Sequence, residues 1–382
     1  MNERQVFQVI QRHGPASRAE LTRATGISAP TVSKAVASLL ESGLLEEEDA
    51  PAPLRGRPAK QLRLASKASQ VLALVIDAEK CCLAAAGLHG ELDEQRVHRF
   101  ATPDTYEALI ETAVEQAQAF ANKRGLRTLG MGISLPGLLD YRDRRSVLSP
   151  NLPLTNNHTI GPDLEDRLGM ECIVLQESHS LCLAEQYYGN AQGLDNFGIV
   201  DIGAGIGLGL MTGGRLLTGA CGLAGEIGHI TVEPEGLPCG CGNRGCLETV
   251  SSISAVSKAL SKQLGRTLTN EEAVAAVIEG AIDTREIVAK MNLYLGIGIG
   301  VLLNVMNPST LFIHSPLHAA DRKLFDAMVE QIRLHSLGPN FVQANIKIAQ
   351  GTKKQGAIAG ILRHLTNTLV PELAAASMRS EQ

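Results

Sequence analysis

The chain has 382 residues, 44% of them apolar, with no Trp and 3% aromatics, so two or three domains with cores of Leu, Val, Ile and Ala are expected. No apolar run reads as long enough to span a membrane, and MNERQVFQVIQRHG is no signal peptide; a cytoplasmic protein without membrane insertion follows, its eight cysteines thiols or metal ligands rather than disulfides. Ten Lys or Arg against seven Asp or Glu through Gln70 give +3, leaving −8 of the net −5 for the rest, a mildly basic head suited to phosphate on an acidic body.

Residues 3–13 place Val6, Val9, Ile10 and His13 on one helical face, and Gly14-Pro15 stops the helix. Ser17 caps a second helix, with Glu20 at the capping-box position and Leu21 and Ala24 facing inward. Ser28 caps a third, with Pro30 in its first turn and Val32, Val36, Leu39 and Leu40 as its buried stripe. Two short helices, a glycine turn and a longer third helix describe a helix-turn-helix whose third helix enters the major groove of operator DNA. Ser28, Thr31, Ser33 and Lys34 are its candidate DNA contacts. Leu44-Leu45 and Gln61–Leu64 read as wing strands, with the acidic run Glu46–Asp49 between them. Arg55-Gly-Arg57-Pro and Lys60 form a flat cationic segment suited to an A·T-rich minor groove. The competing reading of residues 1–66 is a small helical interaction domain, and Ser66–Gln70 reads as a linker.

Val71–Asp77 and Cys81–Leu88 read as strands, and Asp104 as the cap of a helix to Lys123 with Leu109, Ile110, Ala113 and Ala117 inward. Leu129–Leu135 is a strand ending in Pro136-Gly137, and Glu171–Leu175 a strand before a helix Ser178–Tyr188. Phe197–Met211 reads as two strands joined at Gly203–Gly207. A dinucleotide fingerprint fails there, because a strand follows where a helix is required. Cys81, Cys82, Cys172 and Cys182 read as buried small hydrophobes, the other four cysteines being assigned to a metal motif.

That motif runs from Gly222 to Ser251 and contains His229, Cys239, Cys241 and Cys246, an H-x9-C-x-C-x4-C pattern. A Cys3His set fits a closed tetrahedral zinc site with no position open for water, so the expected Zn2+ is structural. The alternative is a loop of free thiols. A Cys239–Cys241 disulfide is disfavoured, since one intervening residue strains the bridge. Glu226 and Glu248 bracket the ligands, and paired carboxylates beside an imidazole suit a polyhydroxylated ligand. The competing reading leaves both glutamates solvated or paired with Arg244. Helices near 252–264, 270–279 and 284–306 follow, the last with a small-residue run Leu295–Gly300 that reads as tight packing. A strand 311–314, a helix 321–334, a strand 346–348 and a final helix from Ala357 complete the chain, with no internal repeat.

Glu226-Ile-Gly-His229 and Cys239-Gly-Cys-Gly-Asn-Arg-Gly-Cys-Leu-Glu248 resemble the ExGH and CxCGxxGCxE motifs of the ROK family, which holds bacterial sugar kinases and sugar-responsive repressors. The resemblance implies an α/β chain with a two-lobed, actin-like ATPase (sugar kinase-like) fold behind an N-terminal winged helix-turn-helix. Its expected parts are a DNA-binding domain at 1–66, a first lobe at 71–190 and a second lobe at 191–382 that carries the zinc loop and an oligomerisation surface. It implies a sugar or sugar phosphate between the lobes, touched by Gly137, Asn151, Gln176, Glu177, Glu226, His229 and Glu248, with Glu177 where the kinases hold their catalytic Asp. Where the kinases carry Asp-x-Gly-Gly-Thr for ATP phosphates, this chain has Asp77-Ala-Glu79-Lys80, so no catalytic residue and no enzymatic activity are expected. The resulting expectation is a sugar-responsive transcriptional repressor acting as a dimer or tetramer. An active sugar kinase and a regulator read by a protein partner are the alternatives.

Overall fold

In the computed structural model, residues 2–49, 60–65, 69–90, 92–121, 126–280 and 282–368 are described. They fall into two compact units, one drawn from Met1–Leu135, Ile160–Leu175 and Ala357–Gln382, the other from Pro136–Thr159 and Gln176–Gly356. The chain changes unit at these four points, not at a single boundary near residue 190.

The first unit opens with α1 (Asn2–His13), α2 (Arg18–Thr25), α3 (Ala29–Glu41), β1 (Leu45–Asp49) and β2 (Lys60–Leu64). Val6, Phe7 and Ile10 fill the small core from α1, whereas His13 and Ala24, both expected inward, are exposed. Phe7 takes the place expected for Val9, a shift of half a turn in the buried stripe. Ser17 and Glu20 complete a reciprocal capping box on α2. Ser28 stands at the N-cap of α3 but makes no backbone cap; its hydroxyl meets that of Thr31 at 2.8 Å. The acidic run lies within β1 rather than between the strands, because cross-strand cations neutralise it. Arg63 reaches Glu46 at 2.7 Å and Glu48 at 3.0 Å, and Lys60 reaches Glu47 at 2.7 Å.

β3 (Ser69–Val75), β4 (Lys80–Ala86), β5 (Leu92–Ala101), α4 (Tyr106–Ala121) and β6 (Arg127–Leu135) follow. Ser69 and Gln70, expected in a linker, are buried strand residues, and the Leu88 N–H donates to Ala65 O at 2.9 Å, so head and sheet are joined directly. The Thr105 hydroxyl, not Asp104, accepts at the start of α4. After β7 (Leu138–Asp140) and β8 (Arg145–Leu148), which pair in the second unit, come α5 (Ile160–Leu168) and β9 (Glu171–Gln176). The first sheet has the order β5-β4-β3-β6-β9.

The second unit continues with α6 (Glu177–Tyr188), β10 (Phe197–Ile202), β11 (Ile206–Thr212), β12 (Arg215–Leu216), α7 (Glu248–Ser251), α8 (Ile253–Leu264), α9 (Asn270–Glu279), α10 (Arg285–Met306), β13 (Thr310–His314), α11 (Pro316–Ala320), α12 (Arg322–His335), α13 (Gly338–Gln343) and β14 (Asn345–Ile348). α14 (Lys353–Thr368) ends the described chain. The second sheet, β12-β11-β10-β13-β14, repeats the order of the first: an antiparallel meander, then parallel strands on its far side. The internal repeat is therefore one of topology, invisible as sequence similarity.

α10 corrects the expectation about apolar length: its 22 residues are long and apolar enough by composition to cross a membrane. One side of it is core. Its glycines allow close approach: a methyl carbon on Gly296 would lie 2.6 Å from Gln331 of α12, and one on Gly298 2.5 Å from Leu247 beside the metal motif. Leu293, Val301 and Val305 remain exposed at four- and eight-residue spacing on another side.

Candidate metal centre and hydroxyl-binding residues

The His229, Cys239, Cys241 and Cys246 ligand atoms all lie within 4.8 Å of one another. His229 Nδ1 is 3.6 Å from Cys239 Sγ, and Cys241 Sγ is 3.7 Å from Cys246 Sγ. Ligands about 2.3 Å from a tetrahedral zinc sit about 3.8 Å apart, so the donors match that ion in type and spacing. The backbone makes this possible at Gly245, whose φ of +64° brings it so close to Glu233 that any side chain would collide with the Glu233 carbonyl. The motif holds three cysteines rather than four; Cys221, the eighth, is exposed.

His229 is used from both sides. Its Nδ1 faces the thiols and lies 3.6 Å from Glu248 Oε1, while its Nε2 faces Glu226 Oε2 at 3.8 Å. Gln176 Nε2 donates to Glu226 Oε1 at 2.9 Å, leaving Gln176 Oε1 buried with no partner. Burial raises the Glu226 carboxyl, an effect the Gln176 and His229 contacts offset in part and Glu248 reinforces. Among the described residues, no Lys or Arg pairs with Glu226 or Glu248, so the pairing with Arg244 does not occur. The β10–β11 turn joins the group, since a methyl carbon on Gly205 would lie 2.9 Å from Glu248 Oε2 and 3.2 Å from Asn151 Nδ2. Gly137 is near Asn151 in sequence space of the β7–β8 hairpin, but its φ of +95° and its contact with Leu148 and Ser149 give it a backbone role.

Glu177 stands apart from this group. Its Oε1 is 2.6 Å from Lys353 Nζ, which also reaches Asp201 Oδ2 at 3.1 Å, and His314 Nδ1 holds Asp201 Oδ1 at 2.7 Å. Burial opposes ionisation of Asp201, but Lys353 and His314 outweigh it and hold the carboxyl well below its usual range. Neither Asp201 nor Lys353 was legible as a site residue, because their partners lie 113 to 176 positions away in sequence.

His179 lies on α6. It is fully buried, its Nδ1 2.7 Å from the Tyr141 hydroxyl, which accepts from Gln176 N–H at 3.2 Å. Its Nε2 is a buried ring nitrogen with no hydrogen-bond partner among the described residues. Burial pushes its pKa down to about 4. Of the candidate DNA contacts, Ser28, Ser33 and Lys34 are exposed on α3 and Thr31 is half-buried; Lys60 is tied to Glu47, and Arg55 and Arg57 lie outside the described residues.

A family model described as "ROK family" matches residues 72–363. The chain belongs to the ROK family. A MarR family model matches residues 2–56, in keeping with the winged head. The chain is 28% identical over 367 residues to the DNA-binding transcriptional repressor Mlc of Escherichia coli (strain K12), covering 93% of this chain and 90% of that one. A solved ROK family transcriptional regulator, a homologue of the E. coli protein, aligns with a TM-score of 0.82 at 24% identity over 97% of each chain. A ROK family glucokinase from Streptomyces griseus, solved with glucose and AMPPNP, aligns with a TM-score of 0.69 at 22% identity over 78% of this chain and all of that one. The fold is thus the actin-like fold of the ROK sugar kinases with a MarR-like winged helix at its N-terminus.

Proposed function

We propose that the chain is a transcriptional repressor whose winged head grips operator DNA and whose second unit binds a sugar. The observation that carries the sugar reading is the position of His229: with Nδ1 among three thiols, a bound Zn2+ would fix the ring so that Nε2 and Glu226 face one ligand. The family's hydroxyl-binding positions support it, since Gln176, Glu226, His229 and Glu248 form one chain of contacts, Asn151 and Glu248 both border Gly205, and Gln176 Oε1 awaits a donor. Zinc in this role is structural and does no chemistry, because four protein ligands fill its tetrahedron. Repression is inferred from the resemblance to Mlc and the MarR-like head. The absence of enzymatic activity is inferred from the β3–β4 turn, where Glu79 and Lys80 stand in place of the kinases' phosphate-binding glycines, and from the engagement of Glu177 by Lys353. Sugar binding then acts only through its preference for one arrangement of the paired heads.

Pairing of two copies is proposed to use the exposed apolar face of α10, where Val305 is 72% exposed. The decisive experiment selects DNA from a random pool with the purified protein and measures binding of the selected sequence with and without sugars, alongside zinc content. Selected DNA released by at least one sugar is the expected result. Failure to select DNA, release by no sugar, or steady ATP consumption with a hexose would each sink the reading.

A further inference from the structure

The Lys353 network is not accounted for by DNA binding, by the metal loop or by the hydroxyl-binding group. Lys353 is built in, not draped over the surface. Its carbonyl accepts from the Ser180 hydroxyl at 3.1 Å, and Gly356, one turn on, packs so tightly against Ser180 O that no side chain would fit. The turn before it is pinned by buried Glu185, whose Oε1 accepts the Gln350 and Gly351 amides. Ser180 and Glu185 belong to α6, the helix that begins with Glu177. One rigid contact therefore sets both ends of the Lys353–Glu177 pair.

The charges around it are unbalanced. Lys353 faces two carboxylates, and Glu226 and Glu248 have no Lys or Arg partner among the described residues. The β10–β11 turn, whose amides would otherwise suit a phosphate, is flanked on both sides by acid. Glu248 Oε2 lies 2.9 Å from a methyl carbon built on Gly205, and Asp201 Oδ1 lies 3.9 Å from one built on Gly203. The Gly203 N–H is already spent on Gly205 O at 3.0 Å. A dianionic phosphate entering there would meet carboxylates, with Lys353 already engaged by Glu177 and Asp201.

We propose that Lys353 is a specificity-determining residue that holds Glu177 ionised and oriented to accept a ligand hydroxyl, and that the site takes an unphosphorylated sugar and rejects its phosphate ester. This rests on the reading of Gln176, Glu226, His229 and Glu248 as a sugar site. The cation here serves the protein's own carboxylates, and discrimination comes from the acids around the turn.

Calorimetric titration of the full zinc-loaded chain with D-glucose, D-xylose and N-acetyl-D-glucosamine, each beside its terminal phosphate ester and inorganic phosphate, tests this. At least one free sugar binds, and its ester binds at least about tenfold more weakly, the effect of one unfavourable charge contact. Lys353→Met weakens the free sugar about ten- to a hundredfold, as expected for a misoriented charged acceptor, while Lys353→Arg stays much closer to the parent. Should Lys353→Met fail to fold, Glu177→Gln gives an independent reading: it weakens the free sugar and, by removing one acid, narrows the preference over the ester. An ester that binds as tightly as its sugar, or a folded Lys353→Met or Glu177→Gln that binds like the parent, overturns the proposal while leaving the sugar site standing. Silence toward every free sugar and every ester overturns both.

Discussion

The two five-stranded sheets share a strand order, yet their first hairpin turns carry different chemistry. In the first unit β3 leads through Asp77-Ala-Glu-Lys80 into β4. Asp77 accepts the Ala78 amide at 2.6 Å, a local turn with no ion pair to Asp77 among the described residues. In the second, Asp201 precedes a glycine turn and is clamped between Lys353 and His314, drawing on α14 and β13. One duplicated topology thus holds a turn that has become ordinary and a turn that has become the hub of a charge network. The difference also follows the cargo: the first sheet is joined to the winged head, the second unit carries the metal loop.

The largest expected break in this comparison is removal of a metal ligand. Cys246→Ser should abolish stoichiometric zinc and cost about 4 kcal/mol or more, because α7 and Leu247, which packs on α10, are placed by that loop. Metal analysis with thermal melting checks it, and a variant that keeps its zinc or its melting temperature contradicts the assignment. Next come the two aspartates. Asp201→Asn removes the carboxylate that both Lys353 and His314 bond in a buried site and should cost about 3–5 kcal/mol. Asp77→Asn keeps an acceptor for the Ala78 amide and should cost less than about 1 kcal/mol. Equal losses in urea denaturation would mean that the two turns are alike after all.

Much of this architecture is legible from residue patterns. The helix-turn-helix follows from caps and apolar spacing, and the candidate metal loop from four potential ligands, one His and three Cys, within eighteen residues. What is hidden depends on distant partners. The acidic run of the wing reads as a loop until Arg63 and Lys60 appear opposite it. The ion pair of Glu177 is invisible until Lys353, 176 positions away, is seen beside it. The doubled strand order is unreadable because pairing is a backbone property that very different side chains satisfy. The small-residue run of α10 reads as tight packing, as found, but its partners Leu247 and α12 are not readable from it.

A smaller effect separates the units by pH. His318 is buried in the second unit between Ser315 Oγ at 2.8 Å and Asn292 Oδ1 at 2.9 Å, and burial pushes its pKa down to about 4 from 6.5. The unfolded chain binds the proton first as pH falls, so the stabilisation is complete above pH 6.5 and drains away toward pH 4. The total is on the order of 3 kcal/mol. His318→Asn should therefore melt at a temperature less dependent on pH across that window than the parent. Parallel curves for the two proteins would show that the ring is not held neutral.

The smallest effect on the folded state belongs to the head, and it sharpens the contrast because it leaves stability alone. Lys34 is exposed on α3 and makes no ion pair among the described residues, whereas Lys60 is already committed to Glu47. A cation without a protein partner on the helix expected in the groove has its charge available for phosphate. Lys34→Ala should lower the slope of log affinity against log salt by about one unit, roughly one released counterion, for every sequence the protein binds. Melting should shift by no more than about 0.5 kcal/mol equivalent. Anisotropy titrations of the selected DNA over a salt series measure this directly. An unchanged slope would take α3 out of the DNA interface, whatever became of the sugar and the metal.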